Sequence, residues 1–177
     1  MIETKSLLLR PIESKDRHSI FVYRSDKSAN KYQGWIPETL HEVDDFIASN
    51  PKRFNQPDTW FQLIIVEKNS KVLIGDIGLH FLGKENKQVE IGCTLNARHQ
   101  GKGLATEAMQ GCITHLFRTL EKHRITASVD PRNTRSINLV ERLGFRKEAH
   151  FKESILVNDK WVDDIVYALL KSEWEPY

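Results

Sequence analysis

Two cysteines stand in 177 residues, too few for a disulfide-built scaffold. Cys93 and Cys112 fall on a predicted strand and the helix after it. A bridge between them is conceivable on paper, but two buried small side chains are the simpler expectation. No histidine stands next to Cys93 in the sequence to activate it, so no thiol nucleophile is expected. Charge of one sign is also lacking. The formal net charge is +2, with basic and acidic residues interleaved, which speaks against a nucleic-acid partner. No apolar run is long enough for a membrane-spanning helix, and the chain opens on a strand-like segment rather than a signal peptide. A cytoplasmic location is the expectation. No repeat, linker or low-complexity stretch interrupts residues 1–177, so one domain is expected, with no assigned metal site.

What is present is a hydrophobic fraction of 40% and a readable pattern of elements. Ser6 to Ile12 reads as a first strand, and Ser14 as the N-cap of a short helix with Ile20, Phe21 and Val22. Thr39-Leu40-His41-Glu42 is a capping box opening a second helix. The segment between them, Asn30 to Pro37, with Tyr32, Gly34 and Trp35, reads as an irregular loop. Trp60–Glu67, Val72–Leu82 and Val89–Leu95 read as an antiparallel meander with short turns. Gly75 and Gly78 mark a bulge or bend in its middle strand.

A long amphipathic helix follows to about Leu120, and then a strand over Arg124–Val129. That strand should run parallel to Val89–Leu95, because a helix joins them. Asn133 or Thr134 opens a short helix that Gly144 ends. Phe145–Val157 and Trp161–Leu170 form a hairpin around Asn158-Asp159-Lys160. The result is an α/β domain with a mixed sheet.

The most informative stretch is Arg98-His99-Gln100-Gly101-Lys102-Gly103-Leu104-Ala105-Thr106, between the third meander strand and the long helix. Two glycines one residue apart permit a tight turn. The first amides of a helix lack partners and sit at its positive end, so the loop reads as a cradle for a phosphate or diphosphate. A dinucleotide fingerprint needs a third small residue where Thr106 stands, and a triphosphate P-loop pattern is missing altogether. The run instead resembles the Arg/Gln-x-x-Gly-x-Gly/Ala loop of the GNAT acetyltransferase superfamily. Asn133-Thr134-Arg135-Ser136-Ile137-Asn138-Leu139-Val140-Glu141-Arg142-Leu143-Gly144-Phe145 resembles a second segment of that superfamily. Glu90-Ile91-Gly92, Leu7 through Pro11, and Trp161 through Leu170 are similar to the branch that includes the ribosomal-protein N-terminal-amine acetyltransferases.

The resemblance implies a GNAT-like fold, with a mostly antiparallel sheet splayed at the cofactor site. It implies acetyl-CoA as co-substrate and an amine acceptor, in a monomer or homodimer. The diphosphate would rest on amides of Gln100, Gly101, Lys102, Gly103, Leu104 and Ala105. The pantetheine arm would line up beside Val89–Leu95, near Leu95. Lys102 and Arg98 would add charge, or are solvated surface cations. Asn133 would touch the arm, or is simply a helix cap.

Transfer to an amine needs a neutral nucleophile, stabilisation of an oxyanion and a proton for the leaving thiolate. Backbone amides of Val89–Leu95 are natural donors to the oxyanion. Glu90 is the candidate base, the alternative being an exposed strand glutamate. Gly92 beside it would leave room for the acceptor. Many family members carry tyrosine where this chain has Val140, which cannot donate a proton. Ser136 is the substitute candidate, unless it is an ordinary first-turn serine or water serves.

Trp35 and Tyr32 are candidate walls of the acceptor cleft. Trp60 and Trp161 could also line it, and Phe61 is expected in the core. His99 and His150 lack a visible partner. A lysine-type amine is only about one part in a thousand neutral near pH 7.4, whereas an α-amine is roughly a quarter neutral. The expected acceptor is therefore a protein or peptide α-amine, or a small amine of lowered pKa. A non-catalytic acyl-CoA-binding module is the alternative class.

Overall fold

The computed structural model describes residues 1–157 and 159–175. Among them, eight strands form one sheet in the order β1-β2-β3-β4-β5-β6-β8-β7. The strands are β1 (Ile2–Glu3), β2 (Leu7–Pro11), β3 (Thr59–Glu67), β4 (Leu73–Leu82), β5 (Gln88–Leu95), β6 (Arg124–Val129), β7 (Arg146–Val157) and β8 (Lys160–Leu170). Four α-helices cover it: α1 (Arg17–Arg24), α2 (Leu40–Ala48), α3 (Leu104–Arg118) and α4 (Thr134–Arg142). Every strand pairing is antiparallel except β5 with β6. The helix between those two strands dictates that exception.

Alternation along the strands divides the core. Phe61, Leu63, Ile77, Leu79, Val89 and Ile91 face α3, whose Ala108, Met109, Cys112, Ile113 and Leu116 are buried against them. On the other face, Ile64 and Val66 pack with Ile20, Tyr23 and Val43 from α1 and α2. Asp76 of β4 is buried there and accepts hydrogen bonds from Tyr23 Oη and from the Arg24 guanidinium. The hydrogen-bonded pair holds the end of α1 on the sheet. Buried Asn30 then donates to the Tyr23 and Asp26 carbonyls and turns the chain into the α1–α2 loop.

Several expectations need correction. Ser14 is not a helix N-cap. Glu13 caps a 3-10 turn, Ser14–Asp16, that leads into α1, and Asp16 is held by Arg10 instead of solvent. The first strand is preceded by β1, too short to show an alternating pattern. The bulge lies at Ile74, where Ile65 pairs with Gly75 but Val66 with Leu73. Gly75 suits that place: a Cβ there would stand 2.2 Å from the Thr94 carbonyl oxygen. Gly78 stays in register and serves a different purpose, described below. In the β7–β8 hairpin, Asn158 lies outside the described residues, and Asp159 holds a left-handed φ of 59°.

Candidate active site

β5 and β6 part company early. They pair only over Gln88–Glu90 with Arg124–Thr126, yet β5 runs on to Leu95 and β6 to Val129. Past Glu90 the β6-facing edge of β5 has no strand beside it, which leaves backbone groups for a ligand. Glu90 therefore stands at the fork, and Gly92 is the next residue on the same face.

The glycine loop closes the open end of the fork. Gly101 and Gly103 hold φ values of 74° and 79°. A Cβ at either site would meet no protein atom within 4 Å, so the space beside each glycine is open. Both glycines also supply the left-handed backbone that turns the chain into α3. Gly103 is the N-cap of α3 and offers no side-chain cap. Among the described residues, the amides of Gly101, Lys102, Gly103, Leu104 and Ala105 donate to no protein acceptor. Five orphan donors at the positive end of a fifteen-residue helix suit a diphosphate.

Gln100 has another task. Its Nε2 donates to the Leu95 carbonyl at 2.9 Å, and its Oε1 accepts from Arg135 at 2.9 Å. It braces the loop between β5 and α4, and it occupies one lone pair of the Leu95 oxygen expected for the pantetheine arm. Arg142 reaches the first turn of α3 through Thr106, 3.3 Å away. The pattern of residues had marked Arg98 and Lys102 but passed over Arg135 and Arg142. Their spacing of seven on α4 could have signalled one basic helix face.

Asn133 caps α4, its side chain accepting from Ser136 N at 3.2 Å. Its Nδ2 makes no hydrogen bond to the chain among the described residues, so capping leaves a donor for a ligand. The Ser136 hydroxyl is likewise without a protein partner in the described residues. Val140 is 4% exposed inside the core and contributes packing only.

The acceptor side is assembled by cross-strand register. Trp60 pairs with His80, and His80 with Glu90; Gln62 pairs with Gly78, and Gly78 with Gly92. Trp60 stacks on His80 with centroids 4.7 Å apart, and His80 Nδ1 lies 3.9 Å from Glu90 Oε2. In the neighbouring row the Gln62 amide and the Trp60 ring lie over Gly78, where a Cβ would stand 3.1 Å from Gln62 Nε2, and the row is bare only at Gly92. A Cβ on Gly92 would meet nothing within 4 Å, so open space stands above it. Burial raises the proton affinity of Glu90, His80 opposes the shift, and buried Asp164 reinforces it. Asp164 in turn accepts from Ser128 Oγ at 2.7 Å. Sequence spacing could not reveal His80 or Asp164, because only sheet register brings them near Glu90.

Tyr32 and Trp35 part ways. The Arg132 guanidinium lies 5.7 Å from the Tyr32 ring centre, so the α1–α2 loop meets the segment after β6 beside Asn133. Trp35 stacks on Phe46 at 4.3 Å under the Arg24 guanidinium and packs on the α1–α2 cluster. Phe61 is buried in the core. Trp161 is 61% exposed on the outer hairpin, four residues beyond the last β8 residue paired with β6. His150 bonds Asp163 in the β7 bulge. Both cysteines are free, and burial pushes the Cys93 thiol up to about 12, far from nucleophilic. No helix among the described residues is long and apolar enough to cross a membrane.

Comparison with known proteins bears on the site just described. Residues 6–146 match the model of an acetyltransferase (GNAT) domain. An uncharacterized N-acetyltransferase, YnaD, of Bacillus subtilis is 34% identical over 174 residues, 98% of each chain. The [ribosomal protein uS5]-alanine N-acetyltransferase of Escherichia coli is 40% identical over 86 residues, 49% of this chain and 44% of that one. Among solved structures, a GNAT-family acetyltransferase from Bacillus anthracis superposes with a TM-score of 0.88. It is 30% identical and covers 97% of this chain and 99% of its own.

Proposed function

The chain belongs to the GNAT acetyltransferase family and is an N-acetyltransferase with acetyl-CoA as co-substrate, and we propose that its acceptor is the α-amine of a protein or peptide. The matches to enzymes set aside the reading as a non-catalytic binding module. The observation that carries the acceptor proposal is the fork: Glu90, its proton affinity raised by burial, beside open space at Gly92, with no tyrosine acid at Val140. Acetyl-CoA supplies an activated acetyl thioester.

The residues divide the remaining work. The amides of Gly101–Ala105 and the cations of Lys102, Arg135 and Arg142 hold the diphosphate. The free edge of β5 up to Leu95, with Asn133 Nδ2, orients the arm. Gln100 keeps both in place. Backbone amides of β5 past Glu90 stabilise the charge that develops on the carbonyl oxygen. Glu90 takes the proton of the attacking amine, directly or through one water, and Ser136 delivers one to the departing sulfur. A carbon–nitrogen bond forms and a carbon–sulfur bond breaks, with no acyl-enzyme.

One modestly basic carboxylate suits an acceptor already partly neutral at pH 7, and this favours an α-amine over a lysine-type or polyamine nitrogen by roughly 3 kcal/mol. Tyr32, at the mouth of the cleft, contacts the acceptor. Trp35 supports the loop that carries Tyr32. The chain is proposed to act as one cytoplasmic domain, as a monomer or homodimer.

The test is thiol release from acetyl-CoA at pH 7.4 with short peptides, polyamines and amino sugars. Acetylation of peptide α-amines ahead of the others is the expected result. Preference for spermidine or a lysine side chain would overturn the acceptor proposal while leaving the family intact.

A further inference from the structure

Three carboxylates are buried among the described residues: Asp16, Asp76 and Asp164. Two of them are matched by a cation. Asp16 pairs with Arg10 at 2.6 Å, and Asp76 pairs with Arg24. Asp164, 8% exposed on β8, has no basic group within 4 Å among the described residues. Ser128 Oγ donates to its Oδ1 at 2.7 Å. Its Oδ2 accepts from no described group, yet it is not sealed from solvent. A carboxylate taken out of water without a cation is costly, and folded chains usually pair it.

The basic groups around it are already engaged. Arg124 of β6 holds Glu148 of β7 at 3.1 Å, Arg132 holds Asp130 at 2.9 Å, and Lys152 holds Asp163 at 2.8 Å. His80 of β4 lies toward Glu90, and His150 bonds Asp163. The cation that Asp164 lacks must come from outside.

Register puts this carboxylate at the fork. Glu90 pairs with Thr126 at the last rung of the β5–β6 ladder. Two residues further on the same face stand Gly92 on β5 and Ser128 on β6. Both are exposed, and they form the two lips of the opening. Asp164 reaches the Ser128 lip from β8, close enough for its charge to raise the proton affinity of Glu90. The two carboxylates are not equivalent: one stands at the apex, the other on the β6 side.

We propose that Asp164 is the counter-ion of the acceptor nitrogen, with its open Oδ2 facing that nitrogen across the Ser128 lip. The nitrogen is positive twice. It arrives as an ammonium, loses one proton to water to become the attacking amine, and turns positive again as its bond to the acetyl carbon forms. Glu90 then takes the second proton. A charge that serves both positive states lowers KM and leaves kcat unchanged. The proposal rests on the acceptor lying at Glu90, and not on the choice of an α-amine.

The experiment is Asp164→Asn, an isostere that keeps the Ser128 contact and removes the charge. The probe is the tripeptide amide Ala-Ala-Ala, whose α-amine is its one cation, with spermidine alongside. KM for the peptide should rise about tenfold or more, with kcat within about threefold of native. The inhibition constant of the acetylated peptide, which is neutral, should not move. Coenzyme A affinity should hold. The melting temperature should not fall, because an unpaired buried charge has been removed. The acid limb of kcat/KM should shift to lower pH, since Glu90 loses a negative neighbour. An unchanged KM, an equal weakening of the neutral product, or a rise for spermidine with none for the peptide would overturn the counter-ion. Full turnover in Glu90→Gln would instead overturn the placement of the acceptor at Glu90. Acetylation of spermidine with no peptide acetylated would overturn the α-amine reading, and a native KM for spermidine in Asp164→Asn would then overturn the counter-ion too.

Discussion

The two walls of the cleft are built in different ways. The cofactor wall is local: β5, the glycine loop and the first turn of α3 follow one another within residues 88–107, and α4 adds Asn133 and Arg135. Its chemistry is mostly backbone, five amides released by two left-handed glycines. The acceptor wall is non-local. Trp60, His80 and Glu90 come from three strands, and Tyr32 from a loop anchored by the Asp76 cluster. Its chemistry is side-chain chemistry, aligned only by sheet register. A ligand shared by every member of a family can be met by backbone. A ligand that differs between members needs side chains that can be exchanged without disturbing the loop.

That contrast is open to direct attack, most sharply through Glu90. Glu90→Gln should lower kcat by about 10²-fold or more and leave coenzyme A affinity unchanged. Burial places the folded-state pKa of Glu90 above its unfolded value. Its favourable contribution to stability therefore exists below the unfolded pKa and is lost as pH rises through the folded one. At pH 7 the neutral glutamine carries no such cost, so the melting temperature should not fall. The acid limb of kcat/KM should rise above the ordinary carboxylate range in the native protein and vanish in the variant. Equal loss of cofactor binding and turnover would make Glu90 structural and merge the two walls.

On the cofactor wall, Gly103→Val forces a β-branched residue to a φ of 79°. The strain is on the order of 1–3 kcal/mol, and coenzyme A affinity should weaken about tenfold or more by calorimetry. Unchanged affinity in a folded variant would show that the loop conformation is not what binds. The smallest effect is expected at Asn133→Ala. Loss of the α4 cap costs about 1 kcal/mol in chemical denaturation. A rise in KM for acetyl-CoA of a few fold would accompany it if Nδ2 also serves the ligand. A stability loss without any change in KM would reduce Asn133 to its capping role.

The same contrast explains what could be read from the residues alone. Strand periodicity gave β3, β4, β5 and β6 within a residue or two, because each alternates or is bounded by turn chemistry. The parallel β5–β6 pair followed from the helix between them. The Gly101–Ala105 cradle was legible because a helix start and a glycine turn are local events. His80 and Asp164 were not legible: each gains meaning from Glu90, a neighbour far along the chain. The tight turn read from the two glycines appears as a left-handed backbone at both, φ 74° and 79°. The Trp35–Phe46 stack joins an irregular loop to α2, a contact no local pattern announces.

Amide chemical shifts followed by NMR during titration with coenzyme A address the central claim most directly. The account predicts saturable shifts concentrated on Gly101 through Ala105 and on β5 beyond Glu90, with the Trp60 and Gln62 amides largely still. Saturable binding that leaves the Gly101–Ala105 amides unmoved would contradict it.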